Sequence, residues 1–206
     1  MPLARPKSPF EFTGGNLCLD FANTVDNRTS DHATELLTDY SRIVRWAEES
    51  GALTGKTAEK LNGLAGEFPG NAQLTVRRAV QLREAIYDIF AAVAHRRGIP
   101  STALATLNKA AQHASEHAEV VHTNRHFAWE WILPENYLDS LLWPVARAAA
   151  ELLTSDDLAY VRQCASDTCA WLFLDKTKNH RRRWCDMKTC GNRDKARRYY
   201  QRQKAG

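Results

Sequence analysis

Two short cysteine pairs constrain this chain more than any other feature. Cys164/Cys169 and Cys185/Cys190 are both C-x4-C, and fifteen residues separate the pairs. A tight chain reversal lets both sulfurs of a pair reach one metal, and Zn²⁺ takes four N or S ligands in a tetrahedron. The spacing therefore predicts one structural zinc ion rather than a set of buried thiols. A segment of about 45 residues buries too little to fold by itself, so the metal is expected to supply much of its folding free energy. Five cysteines in all, four of them in these pairs, suit a reducing cytoplasm better than a secreted disulfide framework.

The charge is uneven along the chain. A net +4 over 206 residues divides into +9 for residues 159–206, with 13 Lys/Arg and 4 Asp/Glu. The remainder has 15 basic against 20 acidic residues, −5. A basic end on an acidic body points to polyanion binding confined to that end. No apolar run approaches the roughly 20 residues that span a bilayer. The opening MPLARPKSPFEFTGG lacks the apolar run of a signal peptide. A cytoplasmic protein without a membrane partner is expected.

Upstream of the cysteines the pattern is mostly helical. Residues 1–12 form a lead-in with three prolines, expected to be flexible. In Leu17–Phe21 apolar residues alternate with Cys18 and Asp20, which fits a short strand or a first helical turn. Asp20, Asn23 and Thr24 are polar among apolar neighbours; they suit capping and turns, and also a ligand-contacting cluster. Helices are expected over about 36–50, 57–66, 74–97 and 101–117. Residues 119–133 change to β-branched and aromatic types around Thr123-Asn124-Arg125, a hairpin. Helix returns over 137–153, with Pro144 kinking or splitting it.

Two histidine pairs at i,i+4 spacing, His113/His117 and His122/His126, lack the acidic partner of an H-E-x-x-H motif. A solvated or packing role is the simpler reading. No P-loop, G-x-G-x-x-G, G-x-S-x-G or kinase set is present, so no catalytic activity is expected.

Within the cysteine segment, Leu172-Phe173-Leu174 reads as a strand over the metal, and a last helix runs from Asn192 to about Gln203. Arg181, Arg182 and Arg183, with Lys195, Arg197, Arg198 and Arg202 of that helix, are candidate phosphate contacts. Asn192 and Arg193 are candidates for base readout, since Asn pairs with adenine and Arg with guanine in the major groove. Asn192 equally suits a helix cap.

The run Cys185-Asp-Met-Lys-Thr-Cys-Gly-Asn-Arg193, preceded by Arg183-Trp184 and Leu172-Phe173-Leu174-Asp175, resembles the CGNR zinc finger family of bacteria. Gly15-Asn-Leu-Cys-Leu-Asp-Phe-Ala-Asn-Thr24 resembles the opening of the ABATE domain found with it. The resemblance covers nearly the whole chain, with Thr177-Lys178 where a Ser-Arg pair is commoner. It implies a stress-responsive transcription regulator.

The expectation is a mainly α (α+β) chain. A helical N-terminal domain with a small β-hairpin, residues 1–158, precedes a treble-clef-like zinc module, residues 159–206. The expected function is zinc-dependent DNA binding, with a small-molecule effector sensed near Asp20, Asn23 and Thr24 and a homodimer setting the spacing on DNA. The rivals are an RNA-binding zinc protein, an enzyme whose N-terminal pocket does the chemistry while the zinc module is only structural, and a protein-interaction adaptor.

Overall fold

The computed structural model describes residues 7–134 and 137–204; the side chains of Arg198, Arg202 and Lys204 are outside the described set. In chain order the elements are α1 (Leu17–Ala22), β1 (Val25–Asp26), β2 (Thr34–Glu35), α2 (Tyr40–Glu49), α3 (Gly55–Glu67), α4 (Pro69–Ala94) and α5 (Ser101–Ser115). There follow β3 (Ala118–Thr123), β4 (His126–Trp131), α6 (Trp143–Leu153), β5 (Val161–Gln163), β6 (Leu172–Leu174) and α7 (Asn192–Lys204). The strands pair as three antiparallel two-stranded sheets, β1–β2, β3–β4 and β5–β6. The mainly α class with small β elements is the one expected.

The centre of the fold is α1. Asn16 caps it by accepting the Cys18 N–H at 3.0 Å, and Cys18, Leu19, Phe21 and Ala22 are all buried. It packs against α4, α6 and β6. With four of its six residues buried, it has too little solvent face to mark a 3.6-residue period, which is why its sequence also suits a strand. Gly14 fits here because a Cβ would come within 2.9 Å of the Asp20 backbone N and Oδ1.

Several boundaries differ from those read in the sequence, each for a local reason. The second helix starts at Tyr40, not Leu36, because Asp39 caps it through the Arg42 N–H at 2.9 Å. Helix α4 begins at Pro69, five residues before the expected start, and of the two expectations for Pro144 splitting holds over kinking: a 3-10 turn, Ser140–Leu142, comes first and Pro144 opens α6. In both cases proline sits in the first turn, where its missing N–H leaves no helical bond unmade. The lead-in is anchored within its described part: Phe10 is buried and the Ser8 hydroxyl donates to Glu49.

The core crosses the expected division at residue 158. Val161, Leu172 and Leu174 of the β5–β6 hairpin belong to the same apolar cluster as Phe21, Ile86 and Phe90. A smaller cluster holds Cys164, Cys169, Trp171, Phe173, Cys185 and Cys190. The hairpin therefore faces two cores, with Phe173 turned to the metal side.

Candidate zinc centre and nucleic-acid interface

The first cysteine pair sits in the loop of the β5–β6 hairpin: Cys164 directly follows β5, and Cys169 precedes β6. The strand register Gln163↔Leu172 closes that loop, and Cys164 N–H donates to Trp171 O at 2.7 Å. Of the second pair, Cys185 precedes a π-helical turn, Met187–Gly191, and Cys190 lies within it; the turn runs straight into α7. Asp186 opens that turn by accepting the Lys188 N–H at 2.8 Å. A knuckle in a hairpin followed by a ligand pair at the head of a helix is the order the sequence suggests.

All four sulfurs are buried and lie within 4.8 Å of one another. Cys169 and Cys185 Sγ are 3.6 Å apart, and Cys185 and Cys190 Sγ 3.7 Å. With Zn–S near 2.3 Å, a tetrahedron has edges of about 3.8 Å. The donor set and its spacing fit one structural Zn²⁺. Hydrogen bonds from Cys169 and Cys185 hold the Cys164 thiol far below the ordinary thiol value; the same bonds, with burial, drive Cys169 and Cys185 far above it. A bound dication stabilises all four as thiolates, closed to water.

Around the sulfurs the packing is specific. Trp171 is buried and donates Nε1–H to Val25 O at 2.8 Å. Asp175, fully buried, accepts from Thr177 Oγ1 and N–H and from Arg182 N–H. Burial opposes its charge, but these bonds outweigh it and hold its carboxyl below the usual range.

The candidate phosphate contacts separate into two kinds. Arg181, Arg183 and Lys195 are exposed. Arg182 instead lies over the Phe173 ring at 4.5 Å and donates Nε–H to Trp184 O at 2.8 Å, bracing the module. Arg197 is half-exposed and paired with Asp167 and Asp194. Arg193 reaches Thr168 Oγ1 at 3.2 Å, and Asn192 Nδ2 donates to Lys188 O at 3.1 Å, a helix-start bond, while both remain exposed. The side chains of Arg198 and Arg202 lie outside the described residues. Tyr199 and Tyr200 stand 60% and 65% exposed on the same helix, enough open ring surface for a base or sugar to stack on.

The polar trio near α1 has its side chains engaged by the protein itself. Asn23 is buried and holds both backbone groups of Leu172, each at 2.8 Å. Thr24 Oγ1 donates to Phe21 O at 2.8 Å, and Asp20 accepts the Gly14 N–H at 2.7 Å. Burial raises the Asp20 carboxyl to about 6, partly countered by the Gly14 bond. Asn23 thus joins the first helix to the zinc hairpin.

A cavity of about 630 Å³ lies elsewhere, between α4, α5 and α6. Leu82, Tyr137, Leu142 and Trp143 give it an apolar wall, and Arg78, Asp139 and His113 give it polar groups. Sequence reading did not single out this cavity, because its lining comes from three segments, 71–82, 106–116 and 137–146, that are distant in the chain. The one local signal was His113-Ala-Ser-Glu-His117, which carries its acidic residue in the order H-x-x-E-H.

A family model described as ABATE, Putative stress-induced transcription regulator, matches residues 15–156. The chain belongs to the ABATE family. Its remaining part, residues 160–203, matches the CGNR zinc finger, so the four buried cysteines are the ligands of that finger's structural zinc. Together the two matches support a zinc-containing regulator. No curated protein matches the chain at a significant level. Among the described residues no helix is long and apolar enough to cross a membrane.

Proposed function

We propose that this ABATE protein is a non-catalytic, DNA-binding transcription regulator whose helical body senses a small molecule in the cavity between α4, α5 and α6. The observation that carries the reading is the continuity of α4. Its N-terminal half, through Leu74, Arg78 and Gln81, lines the cavity. Its C-terminal half touches the zinc hairpin, where Tyr87 Oη donates to Ala170 O at 3.2 Å and accepts from Gln163 Nε2 at 2.7 Å. At 1.5 Å per residue its 26 residues span about 39 Å. A helix of that length, packed along its whole face, carries a shift at one end to the other as a rigid element.

On the nucleic-acid side, exposed Arg181, Arg183 and Lys195 supply positive charge beside α7, and phosphate contacts of this kind set affinity without specifying sequence. Arg193 and Asn192 remain the candidates for base contact. The reading places sensing at the cavity rather than at Asp20, Asn23 and Thr24, because Asp20 Oδ1, both amide atoms of Asn23 and Thr24 Oγ1 are already bonded to backbone groups of the chain.

The test is selection of genomic DNA fragments by the zinc-loaded protein at two salt concentrations, with duplex RNA as competitor. Sequence-selective binding that weakens with salt is expected, and Arg181→Ala and Lys195→Ala each flatten the log–log salt slope by about 1. Preference for RNA, or a slope unchanged in both variants, would overturn the DNA reading.

A further inference from the structure

We propose that the end of α5 carries a second metal site, in which His113, Glu116 and His117 hold a divalent transition-metal cation at the edge of the cavity. Its role as the sensed ligand rests on the function proposed above; the site itself does not. Glu116 directly follows α5 and keeps helical angles, φ −64° and ψ −18°. The i, i+3 spacing therefore puts Glu116 on the helix face of His113, and His117 follows in the turn closed by its N–H to Ala114 O at 3.1 Å. One donor atom from each lies within 4.8 Å of the other two.

The detailed geometry suits an ion. His113 Nδ1 is 3.6 Å from Glu116 Oε2; ligands at about 2.0–2.1 Å from a tetrahedral centre are separated by about 3.4 Å. The other ring nitrogen, His113 Nε2, faces Asp139 Oδ2 at 3.7 Å. A carboxylate on the far nitrogen is how metal-bound histidines are commonly oriented. Asp139 is in turn held by Arg78 at 2.8 Å. His117 stacks on Trp143 with ring centroids 4.3 Å apart, and its Nε2 is buried with no hydrogen-bond partner among the described residues.

Electrostatics and chemistry agree. The C-terminal end of a helix carries partial negative charge that favours a cation, and the Glu116 carboxylate adds to it. Two imidazoles and one carboxylate favour zinc, nickel or cobalt over magnesium or calcium. Three protein donors leave a coordination position for water or for a molecule in the cavity that His113 and Glu116 line. The order H-x-x-E-H sets its two histidines at the i, i+4 spacing of the ligand histidines in the helical H-E-x-x-H zinc motif, and here Glu116 stands close enough to both to be the third donor.

The experiment is equilibrium dialysis of tag-free, zinc-loaded, full-length protein against cobalt(II), with elemental analysis of both metals and a visible spectrum. One cobalt per chain is expected beside one retained zinc, with visible d–d bands and no thiolate charge-transfer band. Glu116→Gln, at an exposed position, should weaken cobalt binding at least tenfold, and His113→Ala should abolish it while zinc stays bound. No cobalt uptake at millimolar concentration would overturn the site, as would a thiolate charge-transfer band or uptake that survives both substitutions. DNA affinity measured on the same samples separates the two ideas. Uptake that leaves it unchanged supports the site and removes the ion as effector; uptake that shifts it supports both.

Discussion

In the helical body, Phe21, Ile43, Trp46, Ile86 and Phe90 are almost wholly buried in one continuous apolar cluster. In the zinc segment, four of the six residues of the separate buried cluster are cysteines, with Trp171 and Phe173 beside them. Removing apolar area from water stabilises the first by about 25 cal/mol per Å². The second has little such area, and its cysteines need an ion in their centre. The β5–β6 hairpin belongs to both, since Leu172 and Leu174 face the body and Phe173 faces the sulfurs. The segment is thus built on a folded platform, and the ion orders what extends beyond it.

Zinc removal should divide the regions most sharply. Structural Zn²⁺ contributes on the order of 10 kcal/mol in finger peptides. Chelation, or Cys185→Ala, is expected to unfold the segment beyond β6 and lower nucleic-acid affinity more than a hundredfold. Far-UV circular dichroism should still show the body's helices. Loss of the whole helical signal would mean that the two regions unfold as one unit.

A core truncation should act in the opposite direction. Phe90 is fully buried on α4, and Phe90→Ala is expected to cost about 3–5 kcal/mol. Because the hairpin rests on that core, the midpoint of denaturant unfolding and zinc retention should fall together. Zinc affinity unchanged in that variant would argue against a shared platform.

Asn23 tests the joint itself. Asn23→Ala leaves the buried N–H and C=O of Leu172 without their partner, at about 1–3 kcal/mol for each group. Thermal unfolding should shift down, and amide exchange should rise at Leu172 more than in α4.

The smallest effect concerns Asp20, and its sign follows from linkage. Its folded value near 6 lies above the unfolded value of about 3.9, so the folded state binds more protons between those limits. Its contribution to stability therefore falls as pH rises from about 4 to 6. Asp20→Asn keeps an acceptor for the Gly14 N–H and removes the buried charge. The variant should match the parent at pH 4 and exceed it at pH 7, as read from thermal midpoints.

The zinc site was legible from the chain because its determinants are local: two pairs of thiols, each closed by a short loop, need only spacing to be recognised. The helical periods of α4 and α6 were legible for the same reason, while their starts depended on which proline sat in a first turn. The fates of individual polar groups were not legible. Asn23 meets Leu172 across 149 residues, Arg182 is committed to Trp184 and Phe173, and Arg197 pairs with Asp167. Nor could spacing place Asp139 beside His113, or form an open cavity between three helices. Ligand spacing and apolar period are properties of a short stretch of chain; burial and partnership exist only once distant stretches pack, and the tertiary structure alone decided them.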